Sequence, residues 1–165
     1  MEKISLKVGL VADLAALVDG LTPKDLVNMK GIRLCSKLTK SLREVAKDLI
    51  SKSEAINDER DEIIESYRKR FETESAALKN EDGGEATEAQ KKTLSDTLAE
   101  EMNKEIQAKL NDKVKEYNEQ GKTVTEFELS LDEYKKLKEW FANFLVVKYT
   151  NKETCVEVAD ALKVE

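Results

Sequence analysis

The sequence predicts a mainly α fold: a long antiparallel helical hairpin on a small helical body with a two-stranded β element. Three observations carry this reading. Leu42, Leu49, Ile56 and Ile63 recur every seven residues, and Leu94, Leu98, Met102, Ile106, Leu110 and Val114 recur every four. Both spacings belong to helices. Two short segments of alternating polar and apolar residues, 3–8 and 123–129, bracket these stretches.

Residues 3–8 (KISLKV) place Ile4, Leu6 and Val8 on one side, the pattern of a half-buried strand. Gly9 introduces a short apolar helix from Leu10 to Val18, stopped by Gly20. Thr22-Pro23-Lys24-Asp25 is a helix start, with a Thr cap, proline at the first position and an acid in the first turn. Gly31 predicts a break or kink nearby. From Ser36 the heptad row defines a long helix. Leu38 and Val45 fill its second seam position early, and Ile64, Tyr67 and Phe71 widen it late. In between, that position holds Lys52 and Glu59, so the seam is narrow, as in a coiled coil. A helix from Leu38 to Lys79 is about 60 Å long. A compact chain of this size has a radius of gyration of about 15 Å. Either the hairpin projects as an arm or the helix is interrupted.

Asn80-Glu81-Asp82-Gly83-Gly84 reads as a turn, and Thr87 with Gln90 as a capping box. The next helix runs to Gln120 and ends at Gly121. Its four-residue row drifts by about 40° per step, so it cannot hold one straight seam along its whole length. Thr123–Leu129 is the second strand. It is expected to pair with residues 3–8, with Lys3 and Lys7 on the same side as Glu126 and Glu128. Ser130 with Glu133, and Thr150 with Glu153, read as two more capping boxes. The helix between them carries Tyr134, Leu137, Trp140, Phe141, Phe144 and Leu145, the richest apolar face in the chain. A last helix carries Val156, Ala159 and Leu162. The chain is expected to form one domain over 1–165. Its body is built from 1–35 and 122–165, and its helical hairpin arm from 36–121.

Composition closes off several chemistries. The 165 residues include no histidine, so Ser-His-Asp triads, Cys-His pairs and histidine-bearing zinc or di-iron sites are out. Cys35 and Cys155 are too far apart in sequence for a CxxC motif or a disulfide framework and read as small buried thiols. No stretch approaches a membrane span, and the opening MEKISLKVGL lacks the apolar core of a signal peptide. Charge is uneven. Residues 1–40 carry 7 basic and 4 acidic side chains, whereas 41–165 carry 21 and 30.

Four groups of residues could form sites. Lys30, Arg33, Lys37 and Lys40, at steps of 3, 4 and 3, share one helix face. A solvated face, helped by nearby Asp25 and Glu44, is the preferred reading, and a patch for phosphate or an acidic protein is the functional one. The net charge of −6 and the lack of interleaved aromatics mean that nucleic acid is not expected as a partner. The run Asp58, Glu59, Asp61, Glu62 and Glu65 offers carboxylates one turn apart, a spacing that suits Mg²⁺. The helical nucleotide pyrophosphohydrolases pair an ExxE with a downstream ExxD. Here the only ExxD, Glu157 to Asp160, lies far away, and Arg60, Arg68, Lys69 and Arg70 neutralise the run, so a solvated helix face is the preferred reading. Trp140, Phe141, Phe144 and Tyr149 read as the core. Ile56 and Ile63, flanked by Glu59 and Glu62, read as a thin apolar row that a partner helix would cover.

The order of parts resembles a family of small helical-hairpin proteins encoded by tailed bacteriophages. The likeness lies in KISLKV, in KLTKSLREVAKDLISKSEAINDERDEIIESYRKR and in LNDKVKEYNEQGKTVTEFELSLDEYKKLKEW. It implies a viral protein, located in the host cytoplasm or the virion, without enzymatic activity. It brings no catalytic residues and no cofactor. The expected function is therefore protein–protein contact in virion assembly or as a virion component. The alternative is an anti-defence or host-takeover inhibitor whose acidic helical arm occupies a host protein's basic groove. The expected partner-binding residues are Lys30, Arg33, Lys37, Lys40, Ile56, Glu59, Glu62 and Ile63. The partner is a virion protein, a host protein or another copy of the chain, with no membrane involved.

Overall fold

The structure is a computed structural model that describes residues 1–79 and 82–165. It is mainly α. In chain order, β1 (Glu2–Lys7) leads into α1 (Val8–Asp19), α2 (Pro23–Leu26), α3 (Met29–Val45) and α4 (Lys47–Ala77). Then come α5 (Glu88–Gly121), β2 (Val124–Leu129), α6 (Leu131–Trp140) and α7 (Lys152–Leu162). Between α6 and α7 the backbone widens to a π-helical turn at Phe141–Leu145 and tightens to a 3₁₀ turn at Val146–Lys148. The chain divides into two compact units, residues 1–51 with 117–165, and residues 52–116.

In the first unit β1 and β2 pair antiparallel, with Ile4 opposite Phe127 and Leu6 opposite Thr125. Ile4, Leu6, Phe127 and Leu129 are buried, so one face of the ribbon is core, as period-2 alternation requires. On the other face Lys3 opposes Glu128 and Ser5 opposes Glu126. Lys7 opposes Val124, not a glutamate, and its ammonium lies 3.0 Å from Glu157 of α7. The ribbon meets α1 and α7, and its core face joins Val11, Leu14 and Val18 of α1 with Val158 and Leu162 of α7.

Gly9 lies inside the first turn of α1, not ahead of it. A Cβ there would come within 3.0 Å of the Gly121 carbonyl oxygen, so glycine allows the two backbones to approach. The Thr22–Asp25 capping box forms, but its helix lasts one turn. It ends at Val27, at φ 66° and ψ −44°, where the Asn28 N–H donates to the Leu26 carbonyl at 2.7 Å. That is a γ-turn, an uncommon conformation for a β-branched residue. Asn28 then caps α3 by accepting from the Gly31 N–H at 3.0 Å. The expected break therefore falls at Val27–Asn28. Gly31 instead lets α3 pass close to the end of α2, since a Cβ on it would lie 2.2 Å from the Leu26 carbonyl oxygen. Gly31→Ala is expected to cost about 1–3 kcal/mol through overpacking against backbone. Gly20→Ala should be close to neutral, since its Cβ meets nothing nearer than 3.5 Å. Chemical denaturation of the two variants checks this difference.

The long helix expected from Ser36 is interrupted. Ala46, fully buried at φ −97° and ψ 14°, separates α3 from α4. Residues 36–51, read from the heptads as arm, belong to the first unit because Leu38, Leu42 and Leu49 are buried there and α3 packs on α1. The centre of the core is Leu137, Trp140, Phe141 and Leu145, with Leu38 and Leu42. Phe144 and Tyr149, expected in that core, are only half-buried at its margin; the Tyr149 ring tilts against Phe141 at 5.8 Å. The Ser130–Glu133 box forms as expected. The last helix is capped by Asn151, not Thr150, which shifts its start by one residue. Cys35 is buried and donates to the Val18 carbonyl at 3.2 Å, while Cys155 is half-buried.

In the second unit α4 and α5 pack as an antiparallel helical hairpin. The turn expected at Asn80–Gly84 lies partly outside the described residues; an isolated bridge joins Lys79 to Glu85, and the Thr87–Gln90 box starts α5. Ile56, Ile63, Leu98 and Leu110 are buried between the helices. The other members of the α5 row, Leu94, Met102, Ile106 and Val114, are half-buried. The seam gaps at Lys52 and Glu59 are filled by charge. Lys52 reaches Glu116 at 2.9 Å, and Glu59 pairs with Lys113. Further along, the Tyr67 hydroxyl donates to Glu105 at 2.7 Å and Arg70 to Glu101 at 3.1 Å. These four contacts descend one helix as they climb the other and so record the register of the hairpin.

Candidate functional site

The basic face of α3 is built from the helix period. Its amphipathic pattern turns Cys35, Leu38 and Leu42 inward, which leaves Lys30, Arg33, Lys37 and Lys40 exposed together. Residues 29–45 hold five cations against one anion, Glu44. Among the described residues, Lys30, Arg33 and Lys40 make no ion pair. Lys37 acts through space on Glu133 of α6. Glu133 is buried, and burial pushes its carboxyl up. The Ser130 N–H at 2.9 Å, the Ser41 hydroxyl at 3.0 Å and the Lys37 charge outweigh this and hold it below its usual range.

At the N-terminal end of the basic row, a cleft of about 500 Å³ opens between α2–α3 and α6. Leu26, Val27 and Leu34 line one side, and Trp140 and Phe144 the other. Lys30 and Lys135 stand at it as cations, while Lys136 is held by Glu139 at 3.0 Å and lies over the Trp140 ring. Asp25 is tied to Thr22 through its cap, which draws its carboxyl down, and Asp132 completes the lining. Both walls have irregular backbone: the Val27 γ-turn, with 82% of that side chain exposed, and the π-helical turn that carries Phe144. Such departures are often retained at functional surfaces.

The eight residues expected to bind a partner are not brought to one place. Lys30, Arg33, Lys37 and Lys40 form one exposed row, and Glu62 is exposed on α4. Ile56 and Ile63 are 8% and 6% exposed, covered by their own hairpin, so they cannot offer an apolar row to a partner. Glu59 is engaged by Lys113 and faces α5. The heptad of one helix does not reveal that a second helix of the same chain covers it, which is why the sequence misplaces those three. Glu65, part of the acidic run, is held by Arg68 at 2.6 Å, and that hydrogen bond draws its carboxyl down.

Sequence reasoning missed the cleft. Asn28, a capping residue immediately before the amphipathic stretch, was the available signal for the α2–α3 junction. Nothing in the sequence marks the positive φ at Val27. No helix among the described residues is long and apolar enough to cross a membrane.

What the geometry defines is a mainly α protein with a helical hairpin and an exposed basic helix face beside a partly apolar cleft. No protein-family model matches the chain, and neither a curated protein nor a solved structure matches it.

Proposed function

We propose that this chain is a non-enzymatic protein that acts by protein–protein contact, docking an acidic surface on the basic face of α3. The observation that carries this reading is the row Lys30, Arg33, Lys37 and Lys40, exposed on one face, of which Lys30, Arg33 and Lys40 make no ion pair among the described residues. Aligned charges of one sign steer an oppositely charged partner and fix its register. The phage-like pattern of the helices supports placing this contact in virion assembly, or in a virion component, with the host cytoplasm or the virion as its location.

A second reading has its own support. Residues 52–116 hold 12 basic and 18 acidic side chains, so this unit accounts for the full net charge of −6 and the other unit is neutral. An acidic hairpin of this kind suits the basic groove of a host protein, as in a host-takeover inhibitor. Affinity capture from infected cells, after nuclease treatment, separates the two. With Arg33→Glu/Lys37→Glu, the recovered partner is expected to fall at least about tenfold, from a few exposed pairs lost together. Unchanged recovery with that variant, and loss with Asp58→Lys/Asp61→Lys, would transfer the function to the hairpin.

A further inference from the structure

We infer that the basic face of α3 docks, antiparallel, on the outward acidic stripe of α4 in a second copy of this chain. This rests on the reading of α3 as a docking surface and names its occupant. In α4, Glu54, Asp58, Asp61 and Glu65 follow one another at steps of 4, 3 and 4, so they share one face. That face points away from α5, because Lys52, Ile56, Glu59 and Ile63 occupy the opposite side of the helix. Asp58 and Asp61 are exposed, as is Glu62 at the margin.

The two stripes match in length, with Asp58 and Asp61 carrying the charge on offer because Glu65 is already held by Arg68. Ten residues separate Lys30 from Lys40 and eleven separate Glu54 from Glu65, about 15 and 17 Å of helix. Direction follows from the apolar parts. Ile64, 42% exposed, lies on the flank of the acidic stripe near its C-terminal end, about 90° around the helix. Arg68, one turn further on, is neutralised by Glu65 and Glu72. The cleft lies at the N-terminal end of the basic row, where Lys30 helps to line it. Seating Ile64 of one copy over the cleft of another makes the helices antiparallel. Asp61 then falls beside Arg33, and Asp58 beside Lys37.

Exposed pairs of this kind are individually weak and screened by salt, so the association should be strongly salt-dependent. Sedimentation of the full chain at rising concentration tests it. In about 0.02 M salt the mass is expected to climb above the 18.7 kDa of one chain, and to return to 18.7 kDa in about 0.5 M salt. Arg33→Glu/Lys37→Glu and Asp58→Lys/Asp61→Lys should each weaken self-association at least about tenfold. Mixing the two variants should restore it, because the reversed row of one then meets the reversed stripe of the other. Ile64→Ser should weaken it while leaving the melting temperature nearly unchanged. A wild-type chain that stays monomeric at low salt, or variants that fail to complement, would overturn the inference. Binding to heparin by a chain that remains monomeric would assign the row to a polyanion instead. A monomeric chain whose Arg33→Glu/Lys37→Glu variant still loses its captured partner would keep the docking reading and discard only the second copy.

Discussion

Phe141→Ala is expected to lower stability by about 3–5 kcal/mol, among the largest losses expected from a single truncation in the chain. The ring is 1% exposed, sits in the π-helical turn and packs beside Trp140, Leu137 and Leu145 at the centre of the first unit. Truncation leaves a cavity that a neighbouring main chain with helical hydrogen bonds cannot readily collapse to fill. Phe144→Ala should cost clearly less, since that ring is half-buried and borders the cleft. Urea denaturation followed at Trp140 measures both. Equal losses would mean that the core extends through the cleft.

Leu110→Ala is expected to cost about 2–5 kcal/mol, felt mainly in residues 52–116. Leu110 is 1% exposed in α5. Only Ile56, Ile63 and Leu98 accompany it as buried hydrophobic residues among the described residues of that unit. The polar contacts between α4 and α5 do not replace that burial, because exposed ion pairs contribute little each. Hydrogen exchange is the suitable measurement. The amides of 52–116 should exchange faster in the variant while those of β1, α1 and α6 keep their protection. Uniform loss of protection through both units would show that they unfold together.

How legible the fold was depended on whether an element announces itself locally. The β1–β2 ribbon was readable because alternation at Ile4, Leu6, Phe127 and Leu129 maps directly onto one buried face. The Thr22 cap and the boxes at Thr87 and Ser130 were readable because donor and acceptor lie three residues apart, but the same spacing at Thr150 misled, since Asn151 caps that helix. The interruption at Ala46 was not, since neither glycine nor proline marks it. The γ-turn at Val27 was not, since a β-branched residue signals the opposite backbone preference. Lys52 and Glu59 were visible as gaps in the seam, but Glu116 and Lys113, which complete them, lie far along the chain. For the candidate site, the row from Lys30 to Lys40 was plain from helical spacing. The cleft beside it was not, because α2 and α6 come together there only through the tertiary fold.

The central claim is that the basic face of α3 is covered by a protein surface when this chain works. Lysine acylation of the protein inside the cells that make it, compared with the dilute purified chain in high salt, tests this most directly. Lys30, Lys37 and Lys40 should be protected severalfold relative to Lys92 and Lys104, which are exposed on α5. Labelling of all five at the same relative rates in the two settings would contradict it.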